Sequence, residues 1–507
     1  MKYVIGLDVG SSDCKAILID QHGTVLGSAA QAYATRYPRP GWAEQAPEDW
    51  YHAACRAVRG CMATASIDPA LIAGISIAGP AHNVALMDES GRILYPVIHW
   101  SDLRSTPQAE RLETACGQRI FEISFSRVNP SWTLTQLCWL RENEPAVWSR
   151  LRKILVTKDY VRYRLTGVYQ TDVYDAIGTQ LYDVIADRWS EELCTLVGFS
   201  PDWLPVVASP QALSGVLRPE PAQNLGLQPG TPVAVGSGDS VVEAFGIGVI
   251  QPGQCIVKLG TAANVNIVTA RPYPSRQAIT YRHVVDGNWF TITATNSGAS
   301  TMRWFRDTFC RRELEIAQNQ GISVFALIDQ LAADAPPGAQ GLICHPYLMG
   351  ERSPHWDPNL RGDFVGVSAQ HRLNHFARAV LEGVAFSIRE CLEIVQALGE
   401  PITELHLVGG GARSTLWRQV LCDVLGKPLR KPGVEDAAFG AAMLAGVAVG
   451  LFADPVSAVR ACSRTEQVLQ PDLRLHERYD EYFDVYRAIT GDLARHSHRL
   501  AQLAQMV

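Results

Sequence analysis

Near its start the chain spells out a strand, a turn of small polar residues and a second strand: YVIGLDVG, then Ser11-Ser12-Asp13, then KAILID. The same layout returns from Cys255, in CIVKLGTAANVNIVT, around Gly260 and Thr261. Apolar runs on both sides of a Gly, Ser or Thr turn predict a β-hairpin each time. The likeness lies in pattern and hardly in identity. Two hairpins of one design so far apart predict two domains built on one plan, with a boundary near 250–253, where GVIQPGQ supplies proline and glycine.

Between and after the hairpins, LIAGISIAG, TPVAVGSG and ELHLVGGG are short apolar runs that end in glycine. Helix-length segments such as EDWYHAACRAVRGCMA and HFARAVLEGVAFSIRECLEIVQAL separate them, which predicts an α/β architecture. With 507 residues, 47% of them hydrophobic, the chain can bury a large core and divide into domains, so a disordered or fibrous state is excluded. Lys and Arg number 45 against 51 Asp and Glu, a formal charge of −6 without blocks of one sign. That balance invites neither nucleic acid nor a membrane surface and leaves a small molecule as the expected partner. No apolar run approaches the roughly 20 residues of a membrane span, and polar residues interrupt the N-terminus too early for a signal peptide. Twelve scattered cysteines, without a CxxC pair or cysteine–histidine clustering, predict reduced thiols and a cytoplasmic location. From 473 to 507 the residues Tyr479, Tyr482, Phe483, Tyr486 and Ile489 recur at helical spacing, predicting an amphipathic helix with a core-facing stripe.

Several polar residues stand at strand ends, each with two readings. Asp8 precedes Gly10-Ser11-Ser12, a turn whose backbone N–H groups can meet a phosphate unobstructed; its carboxylate either holds Mg2+ through water or bonds its own backbone as a turn residue. Asp239 follows a Gly-Ser-Gly turn in TPVAVGSGDSVVEAFGIG, where α/β sheets gather ligands, and reads either as a functional carboxylate or as the N-cap of the helix at 241–245. In ELHLVGGGARSTLW, three glycines lead into a helix start near Ser414, which suits a nucleotide against the backbone or merely close packing. No GxxxxGK[ST] is present and no GxGxxG follows a strand, which removes Walker-type enzymes and weakens dinucleotide binding. His82 and Asn83 follow LIAGISIAG, and HWSDLR, His99 to Arg104, follows another short apolar run. A histidine there is a structural or a ligand group, and Trp100 is core or a sugar-stacking platform.

In this order the pieces resemble the FGGY carbohydrate kinases. The most specific is GDFVGVSAQHRLNHFARAVLEG, Gly362 to Gly383, which looks like the C-terminal signature of that family. Around it stand GLDVGSSDCK, HWSDLR, TKDYVRYRLTG, GSGDS, KLGTAAN, NSGAS with RWFRD, PYLMGERSPHWDP, and GGGARSTLW followed by EDAAFGAA. The likeness covers nearly the whole chain, and the xylulokinase branch resembles it best, through PYLMGERSPHWDP, GGGARSTLWRQ and PGWAEQAPEDWY.

The resemblance implies two actin-like (ribonuclease H-like) ATPase domains with a cleft between them: 1–250 for sugar and the first phosphate hairpin, 251–455 for ATP, and 456–507 as a helical tail on the body. It makes Asp239 the general base and puts Asp8 beside Mg2+. Ser11, Ser12, Lys15, Gly260 and Thr261 fall to the phosphates of ATP, and Gly298, Gly410, Gly411, Ala412 and Ser414 to its adenosine side. His82, Trp100, Asp102, Asp239 and Ser240 fall to the sugar. Departures cluster on the sugar side: Gly79-Pro80-Ala81-His82-Asn83 stands where xylulokinases show Gly-Gln-Met-His-Gly, and Asp239-Ser240 where they show Asp-Asn. Gln136 replaces a lysine of the N-terminal signature. The activity implied is ATP-dependent phosphorylation of a sugar, D-xylulose to D-xylulose 5-phosphate. Ribulose, erythritol, glycerol or gluconate are alternative acceptors, gluconate requiring a cation for which Arg104 is the candidate. A non-catalytic, nucleotide-gated binding module is the reading of another class, and a homodimer stays open as the assembly.

Overall fold

The computed structural model describes residues 2–504. Both hairpins form, and each becomes the centre of a seven-stranded mixed sheet. In the first domain β1 (Tyr3–Val9) and β2 (Asp13–Ile19) are the hairpin, β3 (Val25–Ala32) continues it antiparallel, and β4 (Ile72–Gly79) lies parallel on the other side of β1. The edge strands β5 (Leu213–Val216) and β6 (Pro232–Ala234) complete the order β5-β6-β4-β1-β2-β3, and Ser237–Gly238 pairs with the end of β4.

The second domain repeats the plan. The hairpin β7 (Gln254–Leu259) and β8 (Ala263–Thr269) is followed by β9 (Ile279–Arg282), β10 (Trp289–Thr295), β11 (Glu404–Val408), β12 (Leu429–Pro432) and β13 (Thr465–Leu469). Their order, β9-β10-β8-β7-β11-β12-β13, again flanks the first hairpin strand with its antiparallel partner and a parallel strand. β1 and β7 are central, buried on both faces, and read as near-continuous apolar runs for that reason.

Helices cover the sheets. α1 (Pro47–Ala65) packs on β2 and β3 of the first sheet, α2 (Thr157–Thr166) lies beside it, and α3 (Asp239–Gly246) leads out of the first domain. In the second domain α4 (Leu373–Ala397) crosses the core and α5 (Thr415–Leu425) follows β11. α6 (Ala437–Ala448), AAFGAAMLAGVA, is apolar all round, the composition of a helix with no solvent face. Although it comes late in the chain, it lies on the first sheet: a Cβ on Gly6 would stand 1.9 Å from the carbonyl oxygen of Ala438. Val241, Val242 and Phe245 of α3 share one buried core with α6 and with Ile256, Val268 and Phe290 of the second sheet.

The 456–507 segment corrects its expectation as a helical tail. It contains β13, hydrogen-bonded antiparallel to β12, so it finishes the second sheet. The expected amphipathic helix is α7 (Leu473–Ala504), and residues 505–507 lie outside the described residues. Its stripe does face the core: Tyr479, Phe483 and Tyr486 are at most 1% exposed, and burying Phe483 alone contributes about 1.5–3 kcal/mol. All twelve cysteines are free, and among the described residues no helix is long and apolar enough to cross a membrane.

α3 and α6 cross with their backbones nearly touching. A Cβ on Gly440 would lie 2.0 Å from the carbonyl oxygen of Val242, and one on Gly246 3.0 Å from the Cα of Gly440. Helix propensity alone favours alanine over glycine at such a mid-helix position by about 1 kcal/mol. Gly440→Ala is expected to reverse that sign and lower Tm; a raised Tm would show that the helices do not meet at this point.

Candidate active site

The crossing helices begin where the two halves face each other, and acidic residues stand at both starts. Asp436 caps α6, its Oδ1 accepting from the Ala438 N–H at 2.8 Å. Asp239 is the first residue of α3, whose N-cap is Gly238, so the N-cap reading of Asp239 does not hold. Its Oδ1 accepts from the Ser240 N–H at 2.6 Å and from the Ser240 hydroxyl at 3.1 Å, which fixes the carboxylate at the helix start. Gly238 has no room for a side chain, because the Tyr174 ring lies 2.1 Å from where its Cβ would be.

Asp8 is the last residue but one of β1, paired across the hairpin with Lys15. Its Oδ1 is buried without a hydrogen-bond partner. Burial, then Asp239 and Asp436, push its carboxyl well above the usual carboxylate range, with Lys258 opposing. The turn reading, in which Asp8 bonds its own backbone, therefore fails. Lys15 reaches across to Asp436, and Lys258 of the second domain reaches Glu243 of α3 at 2.7 Å. Carboxylates outnumber lysines in this cluster, and an orphaned buried oxygen at its centre suits a cation. Among the described residues no group of three or more His, Cys, Asp or Glu could hold a metal by itself. That is compatible with Mg2+, which binds through one or two carboxylates with water and substrate phosphates.

The two turns flank the acids. In the first, the Gly10 N–H bonds the Asp13 carbonyl at 2.9 Å and Ser12 is exposed, while the Ser11 hydroxyl accepts the Trp100 indole N–H at 3.0 Å. The second turn is held by the next helix start: the Gly260 carbonyl accepts from the Ala299 N–H at 2.7 Å, and the Thr261 carbonyl from the Ser300 hydroxyl at 2.7 Å. Gly298 permits this contact, since its Cβ would lie 2.5 Å from the Gly260 oxygen. Its close packing holds the second turn in place.

The triple glycine divides its labour. Gly409 and Gly411 are pressed against Leu259, and Ala412 is 1% exposed. Gly410 faces open space, and Ser414 caps α5 by accepting the Trp417 N–H at 3.0 Å while keeping partial exposure.

On the other side of Asp239, His82 donates from Nδ1 to the Gly178 carbonyl at 3.0 Å, which leaves Nε2 as acceptor toward the Tyr281 hydroxyl at 3.5 Å. Burial pushes His82 down to about 4, so the ring is neutral. Trp132 meets it edge-on at 4.1 Å, and Tyr174 stacks on Tyr281 at 4.2 Å. Tyr281 belongs to β9, so the second domain contributes a wall to this aromatic recess. Trp100, 38% exposed, is not core; its backbone N–H is fixed by the Asn83 side chain at 2.7 Å.

Asp102 is corrected outright. It is fully buried, and its oxygens accept from the Ala43 and Arg104 N–H groups and from the Arg104 guanidinium, all between 2.6 and 2.9 Å. Arg104 is in turn bound to Glu44 and stacked over Trp42, so neither residue is available to a sugar. Reasoning from sequence missed Trp132, Tyr174 and Tyr281. Lys258 and Asp436 stand within the family-like blocks KLGTAAN and EDAAFGAA, whose pattern marks no task for them.

The sequence pattern of the FGGY family of carbohydrate kinases, N-terminal domain, matches residues 3–246, and that of the C-terminal domain matches residues 255–449. A xylulose kinase of Bacillus subtilis is 31% identical over 493 residues, spanning 96% of this chain and 97% of that protein. Among solved structures, a xyloylose kinase from Brucella ovis superimposes with a TM-score of 0.87 at 33% identity, covering 97% of this chain and 99% of the other. A gluconate kinase from Lactobacillus acidophilus gives a TM-score of 0.90 at 26% identity over 97% and 98% of the two chains.

Burial pushes His82 and His99 down to about 4 and His283 to about 3, from 6.5, and lowers His406 as well. Below pH 6.5 the unfolded chain binds protons that these folded rings refuse, so their stabilising share, complete above 6.5, is lost as pH falls toward 4. His283 lies outside the recess, bonded to the Val249 carbonyl at 3.2 Å. Between pH 6.5 and 4 the wild-type Tm is expected to fall more steeply than that of His283→Asn; parallel slopes would clear His283 of any part in acid sensitivity.

Proposed function

The chain belongs to the FGGY family of carbohydrate kinases, and we propose that the sugar it phosphorylates with ATP is D-xylulose, giving D-xylulose 5-phosphate. The observation that favours a neutral sugar over a sugar acid is the uncharged His82 set among Trp132, Tyr174 and Tyr281 beside Asp239. A gluconate carboxylate needs a cation, and the guanidinium nominated for it, Arg104, is consumed by Asp102 and Glu44. The names of the relatives, xylulose kinase and xyloylose kinase, support the same reading.

In this reading the sugar lies in the recess with its reactive hydroxyl toward Asp239. A sugar hydroxyl is too weak an acid to ionise in advance at neutral pH, so its proton passes to Asp239 as the oxygen bonds to the terminal phosphorus of ATP. The bond from that phosphorus to the bridging oxygen breaks, and ADP leaves with the electron pair. Ser240 keeps the carboxylate aimed, which is a matter of geometry more than of chemistry. Ser11, Ser12, Gly260 and Thr261 offer backbone and hydroxyl donors to the phosphates from the two facing turns, and Lys15 adds a charge. Asp8 would hold Mg2+, which supplies charge neutralisation on the phosphates when bound. Tyr281 and Tyr174 close the recess from the two domains and keep water from the acceptor position.

A panel of sugars read by ADP release is expected to give the highest kcat/KM with D-xylulose; a preference for gluconate or glycerol would overturn the choice of sugar and leave the kinase assignment standing. Asp239→Asn is expected to lower kcat by about 10² or more, the range of a general base, with ATP affinity nearly unchanged by calorimetry. Near-normal turnover would remove Asp239 from the mechanism.

A further inference from the structure

Two lysines cross between the domains at the floor of the cleft. Lys15, on β2, reaches Asp436 at the start of α6. Lys258, on β7, reaches Glu243 in α3, Nζ to Oε2 2.7 Å. Each ammonium is thus held by a carboxylate that belongs to the other half of the crossing. Lys15 already stands among the phosphate ligands, whereas Lys258 has no task in the reading given so far.

Its position is specific. Lys258 lies two residues ahead of Gly260, and a Cβ on Gly260 would stand 3.7 Å from both Cγ and Cε of the lysine. The side chain therefore runs along the second phosphate turn instead of away from it. The side chain remains 34% exposed, against 12% for Glu243, so the lysine is the more accessible member of the pair. Against the cost of burial, Glu243 and then Asp239 and Asp8 hold the ammonium charged. A permanent cation beside the proton acceptor and the expected metal carboxylate stands where the transferred phosphoryl group has to pass.

We propose that Lys258 is a phosphate-binding residue of this kinase, with its ammonium shared between Glu243 and the terminal phosphate of ATP. An ammonium has three donors on a flexible stem, so it can keep Glu243 and add a phosphate oxygen. Charge met in this way counts most on the moving phosphoryl group, where negative charge is spread over three oxygens in a site screened from water. The proposal rests on the assignment of this cleft to ATP and is independent of which sugar is used.

The test is nucleotide affinity by calorimetry on the full-length, sugar-free protein with Mg2+, comparing ATP with AMP. Lys258→Met is expected to weaken ATP by about tenfold or more, in line with the loss of one preorganised donor to a phosphate, and to leave AMP unchanged. Lys258→Gln, whose amide still donates to Glu243, guards against a folding defect and is expected to show the same selective loss. Glu243→Gln breaks the ion pair while keeping the lysine, and is expected to retain the ATP preference. An unchanged ATP-to-AMP ratio in Lys258→Gln, or an equal loss in Glu243→Gln, would reduce the pair to an interdomain tie and overturn the proposal. Wild-type protein that binds neither nucleotide would overturn the assignment of the cleft, and the proposal with it.

Discussion

The contact between the backbones of α3 and α6 governs the centre of this molecule. Helices separated by ordinary side chains keep their axes about 8–10 Å apart. Gly440 and Gly246 remove the separating atoms, and the two helices meet at the main chain. Their starts carry Asp239 and Asp436, so the close crossing draws these acids together with Asp8, and each acid lies at the positive end of its helix. A larger residue at the crossing would separate groups far from it, because rigid helices transmit the displacement to their ends.

Repetition of one plan in two halves then has an electrostatic result. Each sheet ends a central strand at the cleft and each sends a lysine to the opposite helix, Lys15 to Asp436 and Lys258 to Glu243. Acids remain in excess, and the unpartnered Oδ1 of Asp8 concentrates that excess at one point. Metal ion and polyphosphate bring opposite charges that this floor can accept together more readily than either alone. On the aromatic side, by contrast, burial keeps His82 neutral, and Arg104 is locked to Asp102.

Period and punctuation made much of this legible. Both hairpins, the strand-end placement of Asp8 and Asp239 and the stripe of Tyr479, Phe483 and Tyr486 follow from alternation, glycine turns and helical spacing. Side-chain direction was not legible. Asp102 sits in the expected segment but turns inward to Ala43 and Arg104, since a motif specifies a position in the chain and not the neighbour its side chain will find. Tyr174, Tyr281 and Trp132 were invisible because their meeting depends on elements far apart in sequence. The most recognisable segment, Gly362 to Gly383, works in packing: Gly366, at φ +89, would put a Cβ 2.3 Å from the Gly341 oxygen, and Gly383 2.1 Å from that of Cys344. Such crowding tolerates no side chain, although neither residue belongs to the acid cluster.

The late position of α6 bears on how the chain is made. Residues 437–448 cover one face of a sheet whose first strand is Tyr3–Val9, so that face stays bare on the ribosome until most of the protein has been synthesised. Val4, Ile17 and Ile19, buried in the finished molecule, share that core with α6 and lack this cover until it is made. The first sheet therefore depends on a helix that follows nearly all of the second domain in the chain.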